Sequence, residues 1–174
     1  MSYNNFKRCH FVSFCVFYER NGTNFTKSVT NGGGQMFSGM SDHSVDSKGR
    51  IVLPAKFREE LGESFYIARG FGNACIQAMS AEQFNNISAK ILELPADKAM
   101  ALQYTFTATA VEVSPNASGR VMLPQTLRDF AGIEGSARVI GMNNRIEIWS
   151  VKRFEEFIES QKDTIAEALT MLKL

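Results

Sequence analysis

Two short polar turns in the chain each present basic side chains, and they lie 70 residues apart. The first turn is Asp46-Ser47-Lys48-Gly49-Arg50, and the second is Asn116-Ala117-Ser118-Gly119-Arg120. An arginine can donate two hydrogen bonds to a guanine edge or to a phosphate, whereas a lysine is suited to phosphate. Lys48, Arg50 and Arg120 are therefore candidates for contact with a polyanion such as DNA.

The other positions of the two turns are expected to shape the loops. Asp46 and Asn116 can accept backbone N–H groups just ahead of them in an Asx-turn. Gly49 and Gly119 can supply the positive φ that such a turn needs. A structural alternative stays open for the arginines, in which the hairpin arginine pairs with Asp46 and holds the core together.

The turns belong to a longer internal repeat. Each is followed by three apolar residues and a proline, and residues 46–84 align with residues 116–154 without a gap, at ten identities in 39 positions. Beyond the proline the identical pairs are Arg58 with Arg128, Gly62 with Gly132, Asn73 with Asn143, Ile76 with Ile146, Ser80 with Ser150 and Phe84 with Phe154. Two copies indicate a duplicated domain, because a solenoid needs about three or more repeats.

Hydrophobic period and turn residues predict that each copy has the order ββαββα, with the polar turn at the tip of its first hairpin. In the first copy we expect a helix at 55–61 ended by Gly62, strands at 65–68 and 74–79, and a helix opened by a capping box at Ser80. In the second copy we expect strands at 137–140 and 146–149 and a final helix capped by Ser150. Between the copies we expect a short helix or connector at 98–104 and a strand at 106–113.

The remaining basic and reactive side chains have plainer interpretations. Arg58 and Arg128 lie on a helix among acidic neighbours, which favours a solvated face or an inter-subunit salt bridge over DNA contact. Lys56 has no basic counterpart, because the second copy has Thr126. By their positions in the pattern, Trp149 is expected in the core, His43 at the surface or in hairpin packing, and Cys75 buried as a small apolar residue.

The composition argues against an enzyme. His10 and His43 stand alone, and Cys9, Cys15 and Cys75 fit neither a disulfide framework nor metal-ligand spacing. The sequence also has no glycine-rich phosphate loop, so it predicts no catalytic residues, no metal, no cofactor and no small-molecule substrate. We interpret the chain as intracellular with free thiols, and no apolar run approaches the roughly 20 residues of a membrane span.

The formal net charge of +1 over 174 residues hides a split along the chain. Residues 1–35 hold four basic residues and one acidic residue, whereas residues 36–174 hold 15 basic and 17 acidic residues. The repeats therefore have no global basic field. Binding to nucleic acid must be local and repeated across subunits.

Residues 1–35 differ from the rest in having no hydrophobic period. Three glycine codons just before Met36 would form a purine-rich run placed like a bacterial ribosome-binding site. We therefore expect Met36 to be the true start and residues 1–35 to be a translated leader. The rival interpretation is a genuine disordered tail.

From Met36 to the last helix the chain resembles the MraZ family of bacterial transcriptional regulators. The matching residues are Met36-Phe37-x-Gly39, Asp46-Ser47-Lys48-Gly49-Arg50, Leu53-Pro54-Ala55-Lys56-Phe57-Arg58, Gly119-Arg120 with Leu123-Pro124, and Asn143-Asn144-Arg145-Ile146-Glu147-Ile148-Trp149. The resemblance covers about four fifths of the chain, and its motifs are specific in combination.

The resemblance implies an α+β fold of two tandem half-domains of the SpoVT/AbrB type, swapped hairpins about a pseudo-two-fold axis flanked by helices. The implied boundaries are 40–82 for the first domain, 83–110 for a connector and strand entry, 111–154 for the second domain and 155–174 for a C-terminal helix. It further implies a ring-shaped homo-oligomer in the cytoplasm, associated with the nucleoid. Such a ring binds direct repeats in double-stranded DNA upstream of its own cell-division and cell-wall operon and represses it.

The second turn departs from the family's Asp-x-x-x-Arg pattern, because Asn116 stands at the acidic position. Asparagine keeps the Asx-turn but loses the charge, so we expect a less firmly ordered second loop. One alternative to a DNA-binding regulator stays open: an oligomeric scaffold or antitoxin-like interaction module, which would not need Lys48, Gly49 and Arg50 at the tip.

Overall fold

A computed structural model of the protein describes residues 17–21, 24–28 and 36–173. The chain divides into two compact units, Met1–Gly34 and Gln35–Leu174. In the first unit, strands β1 (Phe17–Asn21) and β2 (Asn24–Ser28) pair antiparallel. The other residues of the leader prediction lie outside the described residues, and the prediction of a leader stays a prediction.

The second unit is a mixed α and β structure with an antiparallel sheet. Its strands are β3 (Phe37–Ser44), β4 (Arg50–Val52), β5 (Phe65–Arg69), β6 (Ile76–Met79), β7 (Val111–Val113), β8 (Arg120–Met122), β9 (Ser136–Asn143) and β10 (Arg145–Trp149). Its helices are α1 (Ala55–Leu61), α2 (Ala81–Leu92), α3 (Ala96–Thr105), α4 (Gln125–Ala131), α5 (Val151–Ser160) and α6 (Lys162–Met171). Six strands form one sheet in the order β3-β9-β10-β6-β5-β7, and β4 and β8 form a separate pair.

Strands from the two sequence repeats pair with each other. In the large sheet β3 of the first repeat pairs with β9 of the second, and β7 of the second pairs with β5 of the first. In the small sheet Ile51 of β4 lies opposite Val121 of β8. The hairpin predicted around each polar turn is accordingly reduced. In the first repeat a single bridge joins Val45, just after β3, to Ile51 of β4, and among the described residues β7 and β8 of the second repeat do not pair with each other.

The main hydrophobic core lies between the large sheet, the β4–β8 pair and the helices α1 and α4. Alternation along the repeated apolar triplets positions this core, because Ile51 and Leu53 are buried in one copy and Val121 and Leu123 in the other. Burial of each such side chain stabilises the fold by about 1.5–3 kcal/mol. The middle residue of each triplet faces outward instead.

The opposite face of the large sheet is covered by α2, α3 and α5. There Phe84 and Ile87 of α2 pack against Met79 and Phe106, and Phe154 and Phe157 of α5 pack against Trp149, Ile140 and Cys75. Trp149 is only 2% exposed, so the prediction of a core residue is confirmed. Burial of the Cys75 thiol raises its pKa to about 12, which confirms a buried apolar role.

Two predicted elements are wrong in their extent. The segment 106–113 is a strand only at Val111–Val113, because α3 runs to Thr105 and a 3₁₀ turn follows at Thr107–Thr109. The hydroxyl of Thr109 donates to the carbonyls of Thr105 and Phe106, which satisfies the helix end and favours the turn.

The predicted single C-terminal helix is instead two helices, α5 and α6, that meet at Gln161. The Ser160 hydroxyl donates to the Phe157 carbonyl at 2.6 Å, and the Gln161 amide donates to the Ile158 carbonyl in a tightened last turn. Ser150 occupies the N-cap position of α5, but its side chain accepts no capping hydrogen bond. Ser80 does cap α2, accepting from the Gln83 amide at 3.3 Å.

Candidate nucleic-acid interface

The first polar turn is held by one carboxylate. Asp46 Oδ1 accepts hydrogen bonds from the backbone N–H groups of Lys48 and Arg50, each at 2.9 Å. Its Oδ2 accepts from Nε of Arg50 at 2.8 Å. The Arg50 amide, with smaller help from its side chain and the Lys48 amide, holds the pKa of Asp46 below its ordinary value of 3.8. The predicted Asp46–Arg50 pair is thus present, while Lys48 stays exposed.

The second turn has the same backbone without the ion pair. Asn116 Oδ1 accepts from the amides of Ser118 at 3.0 Å and Arg120 at 2.9 Å, so the predicted Asx-turn is confirmed. Within the described residues, the Arg120 guanidinium has neither a hydrogen bond nor a salt bridge, and the side chain is exposed. The Arg50 side chain is therefore held by an ion pair, whereas the Arg120 side chain has no partner among the described residues.

The glycines of the two turns are buried where the loops meet. Gly49 and Gly119 have φ of +76° and +70°, as predicted for these turns. The Gly49 carbonyl accepts from the Leu123 amide at 2.9 Å, and the Gly119 carbonyl accepts from the Leu53 amide at 3.4 Å. Each loop is therefore hydrogen-bonded to the strand that follows the other loop.

The repeated helix arginines lie across the opposite loops, so the solvated-face interpretation is wrong. Nε of Arg58 donates to the Leu53 carbonyl and Nε of Arg128 to the Leu123 carbonyl, both at 3.1 Å. A Cβ added to Gly49 would come within 2.7 Å of Arg128 Nε, and one added to Gly119 within 2.6 Å of Arg58 Cζ. Each arginine thus packs on the loop of the other repeat. An inter-subunit salt bridge stays a prediction.

The strands that leave the two turns form an exposed ribbon, which we define as Arg50, Val52, Arg120 and Met122 on the outer face of β4 and β8. Arg50 lies opposite Met122, and Val52 lies opposite Arg120. The two arginines are therefore diagonal neighbours, a spacing of roughly 7–8 Å in antiparallel sheets. Val52 is 38% exposed and Met122 48% exposed. Sequence reasoning missed these two side chains, although the alternation of each buried triplet indicates them.

The chemistry of the ribbon is suited to binding a polyanion. Two guanidiniums share one small face and Asp46 neutralises only one of them, so an anionic partner would relieve their repulsion. The apolar pair between them can contact the methyl group of thymine. His43 is half-buried, and its Nε2 lies 2.8 Å from the Ser41 hydroxyl, consistent with hairpin packing.

Other kinds of site are not found in the part of the chain that the structure describes. No three side chains among its His, Cys, Asp and Glu residues are grouped as metal ligands would be. None of its helices combines the length and the apolar character that crossing a membrane requires.

Comparison with known proteins places the chain in a family. The family model described as "MraZ protein, putative antitoxin-like" matches twice, at residues 36–104 and 106–173. A protein of Acetivibrio thermocellus named "Transcriptional regulator MraZ" is 41% identical over 142 residues, 79% of this chain and 99% of its own length. Proteins with the same name from Thermoanaerobacter sp. and Lactobacillus gasseri are 44% identical over 124 residues and 40% identical over 144 residues. They cover 70% and 80% of this chain and 86% and 100% of their own lengths. The chain belongs to the MraZ family.

Proposed function

We propose that the protein is a sequence-specific DNA-binding regulator of transcription and that the β4–β8 ribbon reads the DNA. The observation that carries the proposal is the pair of diagonal arginines on an exposed two-stranded ribbon, with a carboxylate partner for only one of them. The relatives' name, a transcriptional regulator, supports it and agrees with the prediction that the chain is not an enzyme.

The proposed contacts follow from the shape of the ribbon. The major groove of B-DNA admits a two-stranded β-ribbon. Arg50 and Arg120 would contact guanine edges, and Lys48 in the exposed loop would contact a phosphate. The bond from Asp46 fixes the Arg50 side chain before DNA arrives, so less conformational entropy is lost on binding.

The proposed architecture is two tandem AbrB-like half-domains with exchanged hairpins about a pseudo-two-fold axis. Three pairings support it: β3 with β9, β7 with β5, and β4 with β8. The central strands support it as well, because Gln77 of β6 lies opposite its repeat partner Glu147 of β10. The boundaries 40–82, 83–110, 111–154 and 155–174 stay predictions within this scheme.

One subunit offers three cations, two on the ribbon and Lys48 in the adjoining loop, which predicts weak and salt-sensitive binding. We therefore propose a ring-shaped homo-oligomer that places several ribbons on direct repeats, since linkage multiplies weak sites by roughly 10²–10⁴. The exposed apolar side chains of α6 and the chain after it support a contact between copies: Ile165, Leu169, Met171 and Leu172. In this proposal the ring is cytoplasmic and nucleoid-associated and represses its own cell-division and cell-wall operon.

A scaffold or antitoxin-like module is the second candidate, favoured by the words "antitoxin-like" in the family description. It predicts that the ribbon arginines only hold the fold. The internal contacts of Arg58 and Arg128 already brace both loops. The Arg120 side chain is exposed and makes no hydrogen bond among the described residues, so this candidate gives it no structural role.

The deciding experiment measures binding of the full chain to the DNA upstream of its own gene, at several salt concentrations. Arg50→Ala and Arg120→Ala should each weaken binding about 5–150-fold, which corresponds to about 1–3 kcal/mol for one base contact. Lys48→Ala should weaken binding to all DNA sequences by a similar factor. The slope of log binding constant against log salt concentration should fall by about the amount expected for one phosphate contact. Lys98→Ala, an exposed cation on α3, is the matched control. Light scattering must show the same oligomer mass for every variant. Unchanged binding by both arginine variants would show that the ribbon arginines are structural, and the scaffold candidate would then rank first.

A further inference from the structure

A cavity of about 370 Å³ opens beside the end of β5, away from the ribbon strands. Its walls come from the loop after β5, the end of α3 and one side chain of α4. The lining residues with large side chains include Arg69, Phe71, Leu102, Phe106 and Phe130. This volume lies within the range of roughly 300–1,000 Å³ that small-molecule sites occupy.

Arg69 is the polar feature of the cavity, and its charge is unmatched. Its Nε is buried without a hydrogen-bond partner. Its guanidinium lies over the ring of Phe130, with Cζ 4.7 Å from the ring centroid. No acidic side chain lines the cavity. A buried N–H that has lost water without gaining an acceptor is costly. An anion in the cavity would offset this cost by accepting hydrogen bonds from the rest of the Arg69 guanidinium, because Arg69 lines the cavity.

The other half-buried arginines of the described residues show what Arg69 lacks. Each of them donates to a carboxylate or a backbone carbonyl, and they are Arg50, Arg58, Arg128, Arg138 and Arg145. Arg69 alone among the half-buried arginines described has only an aromatic ring for a partner. The missing acceptor is therefore a property of this site and not of the fold in general.

The walls suit a planar ring. Phe71 stacks on Phe106 with centroids 4.6 Å apart and planes at 25°, and it remains 38% exposed. Phe130 also lines the cavity, and the Arg69 guanidinium lies over one face of its ring. An aromatic ring placed against these phenylalanines gains burial and offset stacking, while a charged substituent can reach Arg69.

The loop and the arginine that line this cavity belong to the first repeat and have no counterpart in the second. In the first repeat β5 ends at Arg69 and a loop follows, in which a Cβ on Gly70 would come within 2.5 Å of the Cys75 Sγ. In the second repeat the matching strand β9 continues to Asn143 and pairs with β3, and Val139 stands where Arg69 would be. The duplicated fold therefore does not require this loop or its arginine.

We propose that this cavity binds a small planar aromatic anion, with its carboxylate or equivalent oxyanion on Arg69 and its ring against Phe71 and Phe130. The site is separate from the ribbon and would make the protein responsive to a ligand of this class. The proposal does not depend on DNA binding by the ribbon.

The test uses two probes that share a ring and differ in charge, 2-naphthoate and the neutral 2-naphthamide, titrated into the full chain by calorimetry. We expect 2-naphthoate to bind at least about tenfold tighter than the amide, because only the anion forms a charge-assisted bond to Arg69. Arg69→Met should abolish that difference. Phe71→Ala should weaken both probes alike. Lys90→Met is the matched control, since Lys90 is an exposed cation on α2 and does not line the cavity.

Three outcomes would overturn the proposal. They are equal binding of the two probes, an unchanged preference in Arg69→Met, and no binding at millimolar concentration. If Arg69→Met also changes the oligomer mass in light scattering while neither probe binds, the cavity is a contact between copies of the chain. Unfolding curves of every variant separate a lost site from a lost fold.

Discussion

The two polar turns share a backbone and differ in charge. In both, a side-chain oxygen at the first position accepts two amides and a buried glycine follows with positive φ. Only Asp46 adds a bond to the arginine side chain. The loop shape therefore needs an acceptor and a glycine, whereas the carboxylate decides whether the arginine is held in place.

The largest expected effect tests what the loops share. Gly49→Ala and Gly119→Ala should each lower the free energy of unfolding by roughly 1–2 kcal/mol for the left-handed backbone, plus the cost of displacing Arg128 or Arg58. Denaturant titrations compare the two variants. Gly39→Ala is a useful control, because it shares the positive φ but a Cβ there meets nothing within 4 Å. Losses that differ strongly between Gly49 and Gly119 would show that the loops are not equivalent.

A smaller effect tests the crossed contacts. Arg128→Ala removes the donor to the Leu123 carbonyl and the side chain over Gly49, so we expect the free energy of unfolding to fall by about 0.5–1.5 kcal/mol. The changes in backbone amide chemical shift, relative to the wild type, should be largest around Gly49 in Arg128→Ala and around Gly119 in Arg58→Ala. Perturbation of the loop in the mutated repeat, rather than in the other one, would contradict the crossed arrangement.

The smallest effect converts one loop into the other. Asn116→Asp should brace Arg120 and stabilise the protein by about 1 kcal/mol or less, as for other exposed pairs. The pKa of Asp46 is lowered in the folded protein, so its contribution to stability is present above the ordinary value of 3.8 and is lost as the pH falls below it. Acid titration by NMR should therefore shift the Arg50 amide but not the Arg120 amide in the wild type. In Asn116→Asp both amides should shift, and a silent Arg120 amide there would show that no brace had formed.

Local signals in the sequence were sufficient for the loops and most elements. Gly62 ends α1, Ser80 opens α2 and the Asx-turn forms at Asn116, because each depends on bonds within a few residues. The repeat alignment pairs Arg58 with Arg128, and these two side chains make equivalent hydrogen bonds.

Contacts between distant segments could not be predicted in the same way. Nothing near Arg128 in the sequence indicates that it lies against Gly49, because that contact depends on the pairing of β4 with β8. The strand expected from residue 106 failed since threonine hydroxyls stabilised a turn there. The apolar members of the ribbon were visible in the alternation, but which surface they shared became clear only from the strand register.

The pairing between repeats has a consequence for synthesis of the chain. Phe37 pairs with Asn143, and β5 pairs with β7, so both pairings join segments that are far apart in the sequence. Such distant contacts give the fold a high contact order, which slows folding. While the ribosome is still making the second repeat, the first exposes unpaired strand edges and half of a hydrophobic core, a state prone to aggregation. The nascent chain therefore cannot complete its large sheet until Trp149 has emerged.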